Sequence, residues 1–497
     1  MIVALGVMLA AAVAPAAAAP SERVAVIVVP PSAPVFRSPR AAHGVLVVGE
    51  GATVSRRGAL ASLLRGEMGN AIVGGGVPGG KPLIALSNRP AQVTFYVALP
   101  PPGKHHNVRR YPIAVAGRGY RGVLTDTSTR LTGLVSIADI APSVRALEQG
   151  ERPSIRAKPS RDPRARLASF DRRLQRAHDS RVAATLVLVG LLILISLAAL
   201  LTRARWLSRA AFLVPSACIA SAVALSALGI SARAAVVGVA LLGGGGALLG
   251  GALLPPRRPL AIALAALFAF LFTIMWVRPE WNALAVIGPH PDGGGRFYGV
   301  TNEVETLLLP PALVLGALVG VRFLPVVGLA LAAGITASRI GADGGGLVVY
   351  LAGFLVLWLR LRRVPALRAA AATAVAAGAA LLLVGIDAAT GGSSHVTKAV
   401  GGGPGSVLGD LGHRLHLSGA SIASTWNSAL LFALGIVGLV VLALQRPRSA
   451  LLDAYLLALG VSFLVNDTPT DVAGYGGFAA LGLWLLTRSE GTCGRLE

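Results

Sequence analysis

The sequence predicts an α-helical polytopic membrane protein, with about eleven transmembrane helices and a small N-terminal α/β extracytoplasmic domain. Three observations carry that expectation. Hydrophobic residues make up 54% of the 497 and charged residues only 13%, about half the charged share of a soluble domain. From residue 182 onward, apolar runs of membrane length follow one another. The net charge of +23 is unevenly divided between the loops that join those runs. A soluble enzyme is thereby excluded as a description of the whole chain. Two cysteines, Cys218 in an apolar run and Cys493 near the end, supply neither a disulfide framework nor a zinc site.

Residues 1–19 are apolar and end in a string of small residues, which predicts a signal peptide or a first membrane helix. Residues 21–153 read as a compact α/β domain. Strand-like runs fall at 24–29, 44–48, 93–99 and 111–115, helical stretches at 57–67 and 139–147, and Gly and Pro clusters punctuate them. Residues 154–181 form a basic juxtamembrane stalk. From 151 to 181 there are ten Arg or Lys against four acids, and Leu167, Phe170, Leu174 and Ala177 recur at helical spacing. That pattern predicts an amphipathic helix lying on anionic headgroups.

The multi-pass region covers 182–487, with spans expected at 182–201, 208–229, 234–254, 259–277, 304–321, 323–339, 346–359, 369–386, 428–444, 449–465 and 472–487, followed by a cytoplasmic tail at 488–497. If the N-terminal domain lies outside, the inner loops hold fourteen arginines against three acids, and the outer loops six basic residues against nine acids. This agrees with the positive-inside rule and points to the bacterial cytoplasmic membrane. The basic residues are spread over loops and stalk with no aromatic-interleaved motif, which argues against a nucleic-acid partner and for the lipid bilayer. Gly243 to Gly246 lack a following Lys-Ser/Thr, so they predict a close helix-packing face and not a phosphate loop.

On the predicted outer side the polar residues gather in three motifs. The loop before the fifth span carries Arg296, Tyr298, Asn302, Glu303 and Glu305; Asp343 follows Gly341-Ala; and Asn466-Asp467 with Asp471 lie between the last two spans. Ionisable groups at membrane depth are costly and usually face a cavity or a partner. We therefore expect an outward-facing pocket of Arg296, Tyr298, Asn302, Glu303, Asp343, Asn466 and Asp467. In it the carboxylates would accept sugar hydroxyls, bind cations or act as a base, and Arg296 would hold a phosphate. Glu303 is the first choice for a base. His395, Lys398, His413 and His416 have no ligand-box spacing, so no metal or other cofactor is expected. The substrate class is anionic or lipid-linked envelope material. A polyprenyl-linked glycosyl or phosphoglycan transferase, or a transporter or flippase, are the alternatives.

Within the N-terminal domain, Arg110-Tyr-Pro-Ile-Ala-Val-Ala-Gly followed by Thr127-Ser-Thr-Arg-Leu-Thr-Gly-Leu-Val-Ser-Ile-Ala-Asp-Ile-Ala-Pro-Ser-Val resembles the late core of alkaline-phosphatase-like, sulfatase-type domains. Asp139 to Ser143 is similar to that superfamily's Asp-x-x-Pro-Thr segment, and 24–29 to its first core strand. With Gly295 to Glu303 and Asn466-Asp467, the chain as a whole resembles uncharacterised bacterial envelope proteins that carry such a domain. The resemblance implies a two-metal phosphoryl site, which needs carboxylates and imidazoles. Here Pro30 and Pro31 follow the first strand where the metal-binding Asp would stand, and Arg110 or Tyr111 stands near the position of the late His. His105 and His106 have no acidic partners beside them. The implied module is thus a degenerate, non-catalytic one.

Overall fold

A computed structural model describes residues 21–69, 77–255, 257–389, 418–420, 422–423, 426–466 and 468–490. The signal-like segment, the histidine-bearing loop, Asp467 and Cys493 lie outside the described residues. The chain divides into two compact units, one made chiefly of residues up to 175 with 290–297, the other of the helices that follow.

The first unit is built on a mixed sheet. Its strands are β1 (Val24–Val28), β2 (Ala41–Val47), β4 (Val93–Val97), β6 (Tyr111–Ala116), β7 (Gly122–Asp126), β8 (Leu134–Ser136) and β9 (Ile155–Lys158), while β3 (Thr53–Ser55) and β5 (Lys104–His106) form a separate ribbon. The order is β1-β4-β6-β2-β7-β9, and β8 also pairs with β2. The β1–β4 pair is parallel, with Val26 opposite Phe95, and β2–β6 is antiparallel, with Gly44 opposite Ile113. Leu46, Phe95, Ile113, Val115, Leu124 and Ile140 fill the core. Helix α1 (Arg56–Arg65) starts where the Ser55 hydroxyl accepts from the Gly58 N–H, and it stops at Gly66, which is left-handed at φ +68°. Helix α2 spans Ile140–Glu148.

Helix α3 (Pro163–Thr202) joins the predicted stalk and first span into one rod of 40 residues, because no breaker interrupts it. The stalk's apolar stripe corrects the headgroup expectation. Phe170, Leu174 and Ala177 are buried by protein, and a Cβ added at Gly133 would meet Leu167 Cδ2 at 2.9 Å and Phe170 Cδ1 at 3.6 Å. Within the first unit, Leu167 and Phe170 pack beside Gly133.

The second unit is a helical bundle. Among the described residues six helices are long and apolar enough to cross a membrane: α3, which begins in the first unit, α4 (Arg205–Ala227), α5 (Arg233–Leu253), α6 (Arg258–Val277), α7 (Asn302–Val319) and α9 (Gly344–Arg362). Shorter apolar helices include α8 (Leu324–Thr336); α10 is Ala366–Ala389, α11 Trp426–Leu444, α12 Ala450–Val465 and α13 Pro469–Ser489. The chain is therefore a helical membrane protein with a small N-terminal α/β region. Its described residues hold six helices of membrane length where the sequence predicts eleven spans.

Most of α4 and α7 is buried inside the bundle, whereas α5 and α6 expose Leu241, Leu249 and Ile262. Close approach of α5 to α4 explains part of the glycine run. Cβ atoms at Gly243 and Gly251 would come within 2.7 Å of Cys218 Sγ and 2.4 Å of the Trp206 carbonyl oxygen, with buried Ala247 between them. At one end of the bundle Arg209 pairs with Glu490 at 2.7 Å, while Arg448 (2.6 Å) and Arg360 both hold Asp453. The loops that the charge count assigns to one side thus share ion pairs.

Candidate functional site

The polar motifs converge on the first turn of α7. The Thr301 hydroxyl accepts from the Val304 N–H at 3.2 Å and fixes where the helix begins. At about 100° per residue, Glu303 and Glu305 then point to nearly opposite faces of α7, so the two acids belong to different surroundings.

Glu305 is fully buried. The Asn466 side-chain amide donates to its Oε2 at 3.0 Å and lies 2.8 Å from the Ser462 hydroxyl. Asn466 is the residue that ends α12, and a Cβ on Gly345 would lie 2.5 Å from its Oδ1, so only glycine leaves the amide room. Asp343 caps α9, its Oδ1 accepting from the Gly346 N–H at 3.3 Å. Tyr350, two turns into α9, is fully buried, and Glu305, Asp343 and Tyr455 are the ionisable groups that act on its hydroxyl. Tyr455 in turn donates to the Thr306 carbonyl at 3.1 Å. Glu305, Asp343, Tyr350, Tyr455, Ser462 and Asn466 therefore form one buried polar layer among apolar helices.

Glu303 faces another group. The Tyr475 hydroxyl shares a hydrogen bond with it, and Asp471 and Arg181 are its charged neighbours. Arg181 is buried and donates to the Pro289 carbonyl at 3.3 Å. Asn302 donates to Thr468 Oγ1 at 2.8 Å, and Tyr298 to the Ser338 carbonyl at 2.6 Å. The loop before α7 is fastened by the Asn282 amide on the Gly299 carbonyl (2.7 Å) and by the Val300 N–H on the Gly341 carbonyl (2.7 Å).

Of the residues expected in one pocket, Asn466 bonds to Glu305, and Asp343 acts with Glu305 on the Tyr350 hydroxyl. Glu303 turns to the Tyr475 face because of helix phase. Tyr298 and Asn302 fasten loops. Arg296 falls within the first unit with 290–297, where the Asn107 amide donates to the carbonyls of Gly49 (2.8 Å), Gly51 (3.0 Å) and Gly293 (3.2 Å). Asp467 is not among the described residues. Sequence reading missed Tyr350, Tyr455 and Ser462, whose one signal was a polar group in the middle of an apolar helix. Among the described residues, no three His, Cys, Asp or Glu side chains are grouped to hold a metal ion.

The first unit has its own acid pair. Asp126, at the end of β7, is buried and accepts from the N–H groups of Ser128 (3.2 Å) and Ser136 (3.1 Å). The Ser128 hydroxyl donates to Asp139. Burial first, and then the adjacent Asp139, push the Asp126 carboxyl well above the ordinary carboxylate range. A raised acid adds stability that is full below its unfolded value, about pH 4, and is lost as the pH rises through the folded value. Hydrogen exchange of peptides covering 122–148 should accordingly show this region opening more readily at neutral than at mildly acid pH, after correction for intrinsic exchange. Asp126→Asn should flatten that dependence, and an unchanged slope in the variant would contradict it.

Comparisons with protein-family models, with curated proteins and with solved structures gave no match. What fold and site define is a class: a helical membrane protein with a buried acid–amide–tyrosine layer and a separate α/β unit.

Proposed function

We propose that the chain is a multi-pass protein of the bacterial cytoplasmic membrane that handles an anionic or lipid-linked envelope substrate at the polar end of its bundle. The observation that carries this reading is the layer of Glu305, Asp343, Tyr350 and Asn466, buried where apolar helices of membrane length meet. Desolvated carboxylates are costly in such a place, and they suit acceptance of hydroxyls from a sugar head group. The charge partition between loops supports about eleven spans, an extracytoplasmic α/β unit and an outward-facing polar end. Pro30 and Pro31 after β1, in place of a metal-binding acid, support reading the α/β unit as a non-catalytic, phosphatase-like module.

In a deletion strain complemented with variants, Tyr350→Phe and Asp343→Asn should restore less than a tenth of wild-type function, read as accumulation of polyprenyl-linked saccharides in the membrane. Tyr350→Phe removes one hydroxyl and keeps the packing, so its protein level should stay normal. Wild-type saccharide pools in both variants would sink the proposal.

A further inference from the structure

The first unit contains a cleft of about 770 Å³, walled by Val28 at the end of β1, Val29 and Pro30 beyond it, Leu99 beyond β4, and Tyr111 at the start of β6. It adjoins a second of about 470 Å³ beside the β3–β5 ribbon, and both include Pro101, Val108, Arg109 and Tyr111 in their walls. The two make one groove whose charged lining is nearly all cationic. Arg56, Arg109 and Arg110 line the larger part; Lys104, His105 and His106 line the smaller. Asp171 is the single acid in either lining.

That acid is already used. Arg110 donates through Nε to Asp171 Oδ1 at 2.6 Å, through Nη2 to Gln175 Oε1 at 3.0 Å and through Nη1 to the Val108 carbonyl at 3.1 Å. Arg110 thus holds the wall in place and cancels Asp171. His105 is anchored by its ring to the Pro101 and Pro102 carbonyls, at 3.2 and 3.0 Å. The remaining charge is cationic: Arg56, whose Nη1 donates to the Pro100 carbonyl at 3.2 Å, Arg109 and Lys104 are exposed and make no ion pair among the described residues. Arg56 is also the first residue of α1, whose opening turn carries no acid, so the positive end of the helix adds to the same field.

The geometry points to this groove as a binding site for a phosphate-bearing polyanion, with Arg109 at the junction reaching groups in both halves. One carboxylate would leave most of this charge unanswered. Adjacent phosphates carry several charges and present oxygens that fit the guanidinium fork. The apolar floor of Val28, Val29 and Leu99 gives room for a carbon backbone between them. The inference concerns binding alone and does not depend on the polar layer of the membrane bundle.

Titration calorimetry on the full-length protein in detergent, in metal-free buffer, with tripolyphosphate as probe, tests it. Saturable binding is expected that weakens as salt rises, and at least tenfold with either Arg109→Gln or Arg56→Gln, both exposed substitutions that leave the core intact. Arg166→Gln, on the exposed side of α3, should bind as wild type does. Citrate, also multiply charged, should bind at least tenfold more weakly than tripolyphosphate. Absence of saturable binding, equal binding of citrate, or a loss in Arg166→Gln matching that in Arg109→Gln would each overturn the assignment.

Discussion

Alanine at Gly299 is expected to prevent the bundle from reaching its folded form. Two independent costs act there. Gly299 sits at φ +85°, where a side chain is strained, and its Cβ would fall 2.0 Å from the Gly341 carbonyl oxygen and 2.7 Å from the carbonyl carbon. Backbone cannot yield as a flexible side chain can. The same contact is the one through which the Val300 N–H meets Gly341 at 2.7 Å, so relieving the clash breaks the bond that sets the entry of α7. A cost of about 3 kcal/mol or more follows, a large part of the usual stability of a domain. All six tryptophans lie in the second unit, so their fluorescence reports on the bundle. Gly299→Ala should give little monodisperse protein after extraction, and whatever is recovered should melt well below wild type. A wild-type melt would contradict the close approach.

Asn466→Ala is expected to have the next largest effect. Its amide donates to the fully buried Glu305 carboxyl, and removing that donor leaves a buried acceptor unsatisfied, at a cost of about 1–3 kcal/mol. Asn466→Asp keeps the volume but swaps donors for acceptors and sets a second acid against Glu305. It should destabilise about as much as alanine does, because it leaves the Glu305 carboxyl without its donor. Tryptophan-monitored melting of both variants reads these outcomes. Equal stability of Asn466→Asp and wild type at neutral pH would mean that the Glu305–Asn466 bond does not carry the load assigned to it.

Much of the fold is written locally, and so was legible in the sequence. The valine-rich runs became β1 and β4, and the limits of α1 follow from Ser55 and Gly66. The spans expected at 259–277, 304–321 and 346–359 agree with α6, α7 and α9 to within a few residues. Strands β7 and β9 were not anticipated: each is five residues or fewer, and each is specified by the partner opposite it, as where Leu124 faces Ala157.

The candidate site was legible in its parts but not in its grouping. Two of the three acidic motifs bond to each other, Asn466 to Glu305 and Asn302 to Thr468, and Asp343 of the third acts on the same Tyr350 hydroxyl as Glu305. Which acid faces which partner depends on the phase of α7, and that phase is set by the Thr301 cap. A one-residue change in the start of the helix would rotate Glu303 and Glu305 by about 100°, a distinction that hydropathy cannot resolve. The arginine groove of the first unit was obscured for a related reason. Arg56 and Arg109 are 53 positions apart in the sequence and share a wall only once the β3–β5 ribbon folds beside β6.

On the proposed reading, the layer around Glu305 meets the substrate. The most direct test of that reading is photolabelling in membranes with a polyprenyl-linked saccharide that carries a crosslinker on its sugar, followed by peptide mapping. Labelling should concentrate on peptides containing 302–306, 343–350 and 462–466, and Tyr350→Phe protein of normal abundance should lose most of it. Label confined to other helices, or undiminished in Tyr350→Phe, would contradict the account.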